Sequence, residues 1–333
     1  MTTRSANKLE DFVLTSVLWM TGFFFVASAL CGAHAEQHNP DWPVTFGFVA
    51  NAFDNTVSVI DTASNKVVAT IPVGRFPDGV ATTPDGTHAY VTNKFDATVS
   101  VIDTTSNKVV VTIPVGANPS GVATTPDGSH PPERDDRRHQ PLAYVTNQVD
   151  NTVSVIETAG NTVVATIPVG DNPNGVAITP DGTRAYVTNL GTVNELATAV
   201  SVIDTANNTV VATIPAGKLP SGVAITPDGT HAYVTNTIDS TVSVIDTASN
   251  TMVATIPVGL GSFGVAITPD GTRPYEHDDR RHQPLAHVTN NSGNTVSVID
   301  TANNKVVATI PVGNFPFALA FATVTPSHRS SAQ

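Results

Sequence analysis

One short stretch recurs along the chain and constrains its fold more than any other feature. Asn-Thr-Val-Ser-Val-Ile-Asp occupies residues 55–61, and its core Val-Ser-Val-Ile appears six times. The copies begin at Val57, Val99, Val153, Val200, Val242 and Val296, so successive starts are 42, 54, 47, 42 and 54 residues apart. A basic period near 42 residues indicates an array of similar structural units.

Each unit reads as four short strands. The clearest copy, residues 222–257, runs GVAITP, the turn DGTH, AYVTN, the loop TIDS, TVSVID, the turn TASN and TMVATIP. Asp-Gly is typical of a tight hairpin turn with positive φ at the glycine, and the asparagine before the last segment marks another reversal. Three short turns joining four strands predict an antiparallel meander, followed by a longer, proline-containing connection.

The strand segments consist mainly of Val, Ile, Ala and Thr with little apolar/polar alternation, as in VVATIPV. Strands with one face in water alternate, so we expect these strands to be buried on both faces. Most units contain one tyrosine, at Tyr90, Tyr144, Tyr186 and Tyr233. Closely stacked four-stranded sheets with this period are typical of β-propeller blades, and the shorter coils of a parallel β-helix fit less well.

The two ends of the array are out of phase by one strand. The first segment, FGFVAN at residues 46–51, corresponds to the second strand of the unit (AYVTN), and the last, ALAFAT at residues 318–323, corresponds to its first strand (GVAIT). Pairing of the two would complete one blade and remove exposed sheet edges. The sequence therefore predicts an all-β fold at residues 46–323: a single β-propeller of four-stranded antiparallel blades. We expect six blades, the C-terminal strand closing the first; seven blades is the alternative.

The first 35 residues differ from the array and predict an export signal. Arg4 and Lys8 precede an uncharged stretch, residues 12–30, and Ala33-His34-Ala35 has the form of a signal-peptidase site. An uncleaved anchor is the alternative, because a stretch of this length can span a bilayer. We therefore expect a secreted, periplasmic or cell-surface protein that meets the membrane only through this segment.

Composition limits the partners and the chemistry. The formal net charge of −12 at pH 7 excludes a basic stripe that would neutralise phosphates, so we expect no nucleic-acid partner. The single cysteine, Cys31, lies in the predicted signal, which leaves the mature chain without a disulfide or thiolate site. Residues 36–45 are predicted to be a polar lead-in and residues 324–333 a disordered tail.

Two sets of aspartates recur with the repeat. Those in the TPDG turns are predicted to shape the turn rather than form a carboxylate array, because aspartate bonds to its own backbone there; they are Asp85, Asp127, Asp181, Asp228 and Asp270. The second set lies on the opposite rim, after the second strands and in connections to the next blade: Asp54, Asp96, Asp150, Asp239, Asp78 and Asp171. Such an acidic ring could hold a divalent cation or a basic ligand. A solvated rim that keeps the protein soluble is the alternative.

Two insertions of twelve residues interrupt the turn between the first and second strands of the third and sixth blades. Both contain Asp-Asp-Arg-Arg-His-Gln-Pro-Leu, at residues 135–142 and 278–285. Paired arginines can bind carboxylate or phosphate, and they disfavour a metal at the neighbouring histidines and aspartates. The candidate partner contacts are Arg137, Arg138, His139, Arg280, Arg281 and His282. Surface loops without a function are the alternative.

Tyr-Val-Thr-Asn at residues 90–93, 144–147, 186–189 and 233–236, with VSVIDT, ATIPVG and GVAITPDGT around it, resembles the consensus of YVTN-family β-propeller repeat proteins. The resemblance covers residues 46–323. It implies an extracytoplasmic propeller of the surface-layer type, assigned to binding or cell-surface interaction, and it implies no catalytic residue.

No serine triad, phosphate-binding glycine loop or spaced zinc ligand set is visible in the sequence. We therefore expect a non-enzymatic scaffold or binding module without a cofactor, whose partner is an unknown protein or cell-envelope component. One alternative is a metal-assisted propeller enzyme of the lactonase or dehydrogenase kind. A structural surface-layer component is another.

Overall fold

The computed structural model describes residues 46–62, 64, 66–126, 141–191, 196–268 and 284–316. Within these ranges every regular element is a β-strand, and no helix occurs. The strands are β1 (Phe46–Asn51), β2 (Thr56–Asp61), β3 (Lys66–Pro72), β4 (Pro77–Thr82), β5 (His88–Asn93), β6 (Thr98–Asp103), β7 (Lys108–Pro114), β8 (Pro119–Thr124), β9 (Leu142–Asn147), β10 (Thr152–Glu157), β11 (Thr162–Pro168), β12 (Pro173–Ile178), β13 (Arg184–Gly191), β14 (Leu196–Asp204), β15 (Thr209–Pro215), β16 (Pro220–Ile225), β17 (His231–Asn236), β18 (Thr241–Asp246), β19 (Thr251–Pro257), β20 (Ser262–Ile267), β21 (Leu285–Asn290), β22 (Thr295–Asp300) and β23 (Lys305–Pro311).

The strands form six antiparallel sheets, which we number blades 1 to 6. Blade 1 contains β1–β3, and blades 2 to 6 contain β4–β7, β8–β11, β12–β15, β16–β19 and β20–β23, each in chain order. The predicted all-β propeller of antiparallel meanders with six blades is confirmed. The strand predicted to close blade 1, residues 318–323, lies outside the described residues.

Turn chemistry determines where the strands reverse, as the sequence predicts. In the TPDG turns Gly86, Gly182 and Gly229 have φ of 70°, 71° and 74°, a region that favours glycine. Asp85 Oδ1 accepts hydrogen bonds from Thr83 Oγ1 (2.6 Å) and Thr87 N (3.0 Å). Asp181 and Asp228 make the same bonds in their turns. The turn-forming role is therefore confirmed for these three aspartates, while Asp127 and Asp270 lie outside the described residues.

Burial differs sharply between the inner and outer strands of a blade. Strands such as β5 and β6 are buried along almost their whole length, on both faces. The outermost strand is not: in β3 only Ile71 is buried, and Val67 and Val68 are 58% and 52% exposed. The expectation that VVATIPV is buried on both faces is therefore wrong. An outer strand has a neighbour on one side only, and its valines stand at the perimeter.

Blades stack face to face through their inner strands. The first strands of successive blades contact one another, β4 with β8, β8 with β12, β12 with β16 and β16 with β20, so these strands surround the propeller axis. Each interface is an apolar cluster, such as Tyr144, Val153, Val155 and Ile167 of blade 3 against Ala185, Val187 and Ile203 of blade 4. Burial of this apolar area is the main stabilising contribution to the ring.

Blade 6 departs from this pattern at its outer strand. The outer-strand isoleucine is 2–3% exposed in blades 1 to 5, at Ile71, Ile113, Ile167, Ile214 and Ile256. Its equivalent in β23, Ile310, is 45% exposed, and every residue of β23 is exposed. In the other blades the following blade covers the isoleucine.

Several predictions concern residues outside the described ranges: the export signal, the lead-in at residues 36–45, the C-terminal tail and the DDRRHQ part of both insertions, residues 135–140 and 278–283. Among the residues that are described, none belongs to a helix of a length and apolarity suited to crossing a membrane.

Candidate binding surface on the asparagine rim

The tyrosine of each Tyr-Val-Thr-Asn sequence joins its blade to the next. Tyr90 Oη of blade 2 donates to Asn161 Oδ1, in the β10–β11 turn of blade 3, at 2.6 Å. The same bond links Tyr144 to Asn208 (2.9 Å), Tyr186 to Asn250 (2.8 Å) and Tyr233 to Asn304 (2.6 Å). Burial raises the pKa of Tyr90 to about 12, with a smaller contribution from the charge of Asp85, so the hydroxyl remains a donor.

The threonine of the same sequence ties inner strands together. Thr92 Oγ1 accepts a hydrogen bond from Gly79 N in its own blade (2.8 Å) and donates to Ser120 O in the next blade (2.7 Å). Thr146, Thr188 and Thr235 repeat both bonds in blades 3, 4 and 5. The threonine therefore has a structural role.

The asparagine fixes the chain where it crosses between blades. Asn93 Nδ2 donates to Thr98 Oγ1 (3.0 Å) and Ser100 Oγ (2.9 Å). Gly74, in the connection from blade 1, packs so closely that a Cβ there would lie 2.5 Å from Asn93 Cγ. Asn147 and Asn290 have matching partners and matching glycines. The recurrent asparagines are architectural, as the sequence indicates.

These asparagines mark one end of the propeller, which we call the asparagine rim. It consists of the turns after the second strands (residues 52–55, 94–97, 148–151, 237–240 and 291–294) and the connections into the next blade (residues 73–76, 115–118, 169–172, 216–219 and 258–261). The TPDG turns lie at the opposite end.

Most of the predicted rim aspartates do lie on this rim, where they bind backbone. Asp96 Oδ2 accepts from Arg75 N, Asp150 Oδ2 from Ala117 N and Asp239 Oδ2 from Lys218 N, each at 2.7 Å. Asp171 Oδ1 accepts from Asn151 Nδ2 at 3.1 Å, and Asp54 is exposed in the β1–β2 turn. Hydrogen bonds from the backbone N–H and then the side chain of Arg75 lower the pKa of Asp96, so it stays ionised.

Asp78 is placed differently from the prediction. It lies in β4 rather than in a connection, and it is fully buried. Its Oδ2 is 3.4 Å from Lys94 Nζ and accepts from Ser120 Oγ at 3.0 Å. Because β4 begins at Pro77, Asp78 belongs to an inner strand, and adjacent inner strands enclose its carboxylate.

Asp78 is part of a buried polar group that sequence reasoning missed. Asn174 Oδ1 lies 3.0 Å from Ser120 Oγ and accepts from Gln148 Nε2 at 3.0 Å. We call Asp78, Lys94, Ser120, Gln148 and Asn174 the axial cluster; it links the inner parts of blades 2 to 4. The signal was the variable residue between proline and glycine in the P-x-G-V sequence that begins β4, β8, β12 and β16.

Apolar side chains are exposed on the asparagine rim. Phe53 and Phe95 are 52% and 57% exposed, and Phe76 lies between them, with ring centroids 5.5 Å from Phe53 and 4.7 Å from Phe95. We call these three the rim aromatic cluster. Phe76 has φ of +55°, a costly conformation for a bulky residue. Val149, Ile238 and Leu260 are exposed in the turns and connections of later blades.

The rim does not gather its carboxylates into a metal site within the described ranges, since no three His, Cys, Asp or Glu there are close enough to share an ion. The hypothesis of a cation at the acidic rim stays a prediction. Arg137, Arg138, His139, Arg280, Arg281 and His282 lie outside the described residues, and their role in partner contact also stays a prediction.

Comparisons with known proteins agree with this fold. The model of the family described as YNCE-like beta-propeller matches residues 25–132. A solved structure titled Kuenenia stuttgartiensis hydrazine synthase is similar with a TM-score of 0.68 and 24% identity, over 82% of this chain and 85% of that chain. A functionally unknown protein from Desulfotomaculum acetoxidans DSM 771 is similar with a TM-score of 0.66 and 21% identity, over 84% of this chain and 86% of that one. No curated protein matches the chain.

The structural likenesses concern the fold alone, because both identities are low. Together with the blade-to-blade bonds of tyrosine, threonine and asparagine, they define the class. The chain is a β-propeller whose repeats carry the Tyr-Val-Thr-Asn sequence.

Proposed function

We propose that this protein is an exported, non-enzymatic β-propeller that serves as a binding scaffold at the cell surface or in the periplasm, and that its partner, a protein or other envelope component, contacts the asparagine rim. The observation that carries this proposal is the exposure of the rim aromatic cluster. Phe53 and Phe95 are more than half exposed, and both contact the ring of Phe76.

Exposed aromatic groups support binding because they cost solubility unless something covers them. Contiguous exposed apolar groups on soluble proteins commonly mark interaction sites. The two ring contacts of Phe76, which is itself half-buried, hold the cluster together across blades 1 and 2. Its left-handed φ recurs at the equivalent position of later connections, for example at Leu219 and Phe315, and therefore belongs to the repeat frame.

The contrast between recurrent residues in the blades and variable residues in the rim turns supports a binding role for the rim. The recurrent tyrosine, threonine and asparagine are engaged in bonds within and between blades. The rim turns differ from blade to blade: Lys94-Phe95 in blade 2 becomes Gln148-Val149 in blade 3 and Thr237-Ile238 in blade 5. Residues that vary on a constant frame are suited to specific recognition.

The proposal that the protein is exported rests on the sequence of residues 1–35. Cell fractionation tests it. The full chain is expressed, cells are fractionated, and the recovered protein is sequenced from its N terminus. We expect an extracytoplasmic protein that begins at Glu36. Recovery from the cytoplasm with residues 1–35 still attached would contradict export.

Binding is tested by co-sedimentation of purified protein with isolated cell envelopes. The double variant Phe53→Ser/Phe95→Ser removes two rim aromatic groups, and we expect its bound fraction to fall at least fivefold, because aromatic residues contribute much of the affinity at interfaces. The control is Val68→Ser/Val110→Ser, which changes valines of the perimeter that are 52% and 53% exposed. Equal binding by the two double variants would exclude the aromatic cluster as the contact.

A further inference from the structure

Two equivalent grooves open between neighbouring blades. The groove between blades 1 and 2 has a volume of about 610 Å³ and the one between blades 2 and 3 about 590 Å³. They exist because blades diverge towards the perimeter, where the outer strands β3, β7 and β11 make few contacts with one another. Volumes of this size are typical of pockets for small ligands.

The walls of both grooves come from the same repeat positions. In the first groove they include Gly74 from the preceding connection, Asp96, Thr98 and Ser100 from the asparagine rim and β6, and Thr112 from β7. In the second they include Gly116, Asp150, Thr152, Ser154 and Thr166. Each groove thus holds one carboxylate and three hydroxyl groups.

The hydrogen-bonding state of these groups leaves donors and acceptors for a ligand. Thr98 Oγ1 accepts from Asn93 Nδ2, and an oxygen that accepts from the amide still carries a hydroxyl proton to donate. Ser100 Oγ is bound by the same amide but is only 2% exposed, so the two threonines are the donors that a ligand in this groove can reach. Thr152 and Ser154 are held in the same way by Asn147.

The carboxylates supply the acceptors. Asp150 binds Ala117 N through Oδ2, and in the described part of the chain no hydrogen bond occupies its Oδ1. In the other groove Arg75 engages both oxygens of Asp96, Oδ2 through its backbone N–H and Oδ1 through its guanidinium, so this carboxylate is held in place as an ion pair.

We propose that these grooves bind neutral carbohydrate chains, a ligand class that deepens and rests on the proposed envelope-binding function. A sugar hydroxyl both donates and accepts, which matches a surface where carboxylate acceptors alternate with hydroxyl donors. Anionic ligands are disfavoured by the charge of Asp150 in the second groove and by the net charge of −12, whereas Arg75 offsets the charge of Asp96 in the first groove. Each groove also contributes two valines and one proline beside its polar groups.

The repeat itself suits a polymer of repeating units. Grooves at equivalent positions of successive blades would be occupied together by one chain, and each further contact becomes intramolecular once the first has formed. Weak individual sites then give useful overall affinity.

Affinity electrophoresis in gels containing neutral polysaccharides tests the proposal, with dextran, galactomannan and xylan as probes. We expect retardation of the wild-type protein in at least one gel and none with dextran sulfate. The double variant Thr112→Val/Thr166→Val removes one exposed hydroxyl from each groove without disturbing the core, and binding should weaken about tenfold, a few-fold per lost hydrogen bond. Thr105→Val, an exposed threonine in the β6–β7 turn, is the matched control and should bind like the wild type.

Three results would overturn the assignment: migration unaffected by every neutral polysaccharide, stronger retardation by dextran sulfate, or equal retardation of the groove variant and Thr105→Val. These outcomes are distinct from failure of the envelope-binding proposal. If the groove variant sediments with cell envelopes like the wild type while Phe53→Ser/Phe95→Ser does not, the rim contact stands and the carbohydrate grooves are rejected.

Discussion

Blade 1 lacks a bond that blades 2 to 5 possess, and restoring it should stabilise the protein. Phe48 occupies the position that a tyrosine has in blades 2 to 5, because it pairs with Val59 as Tyr90 pairs with Val101. The asparagine that would receive the hydroxyl, Asn107 in the β6–β7 turn, has a buried Oδ1 for which the described residues provide no hydrogen-bond partner. Phe48→Tyr is therefore expected to place a hydroxyl within reach of that oxygen.

The expected gain follows from the equivalent bonds. Tyrosine and asparagine lie 2.6–2.9 Å apart in the four intact pairs, so the frame already sets the geometry. A buried hydrogen bond contributes a net 0.5–1.5 kcal/mol, and Asn107 already carries the desolvation cost, so we expect a gain of about 1 kcal/mol. In a protein of this size that is a rise of roughly 1–3 °C in Tm.

Urea unfolding and calorimetry of wild type and variant measure the gain. The reverse change, Tyr144→Phe, should cost about 1–2 kcal/mol because it leaves Asn208 Oδ1 buried and unpaired. Asn107→Gly keeps a residue tolerant of the φ of 53° while it removes the amide, and in that background Phe48→Tyr should give no gain. If Phe48→Tyr is neutral while Tyr144→Phe carries its full cost, or if the gain survives Asn107→Gly, the reasoning is refuted.

Three further predictions concern burial and charge. Ile256→Ala should lower the free energy of unfolding by about 2–4 kcal/mol and Ile310→Ala by less than about 1 kcal/mol, because the two side chains are 3% and 45% exposed. Equal losses of stability in urea unfolding would contradict this difference in burial. Burial raises the pKa of Tyr90 to about 12 from its ordinary value of 10.0, so the stability this provides is full below pH 10 and is lost as the pH rises from 10 towards 12. Tyr90→Phe should therefore lose less stability than the wild type over this range, and an equal loss in urea unfolding would count against the shift. Burial opposes ionisation of Asp228, but hydrogen bonds from Thr226 and Thr230 outweigh it and lower its pKa below 3.8. The stability that Asp228 provides is therefore full above pH 3.8 and is lost as the pH falls further. Asp228→Asn should make the free energy of unfolding less dependent on pH in this acid range, and an unchanged dependence would reject this role.

Much of the fold could be predicted because the relevant chemistry is local. The spacing of Val-Ser-Val-Ile set the blade period, and Asp-Gly and asparagine marked turns whose φ values the structure bears out at Gly86 and Asn107. Burial could not be predicted from residue type alone, because it also depends on where a strand lies within the blade. Val67 and Val68 look like core residues in the sequence, yet they lie on the perimeter, since nothing in a four-strand pattern says which strand has no outer neighbour.

The candidate surface was predicted only in part. Four aspartates of the rim were located because each follows the strand-ending asparagine of its unit by three residues: Asp54, Asp96, Asp150 and Asp239. The rim aromatic cluster was missed because Phe53, Phe76 and Phe95 are far apart in the sequence and belong to two blades. Asp78 was misplaced because one residue decides whether it ends a connection or begins an inner strand.

By itself, the sequence determined the period, the four-stranded unit, the turns and the class of propeller, since each depends on neighbours a few residues apart. Only the tertiary structure decided what the repeated residues do. The bond from Tyr90 to Asn161 spans 71 residues and that from Tyr144 to Asn208 spans 64, and they form because stacking places one blade's second strand against the next blade's outer turn. The same stacking buries Asp78 at the axis and opens grooves at the perimeter, because blades that converge at the centre must diverge at the edge.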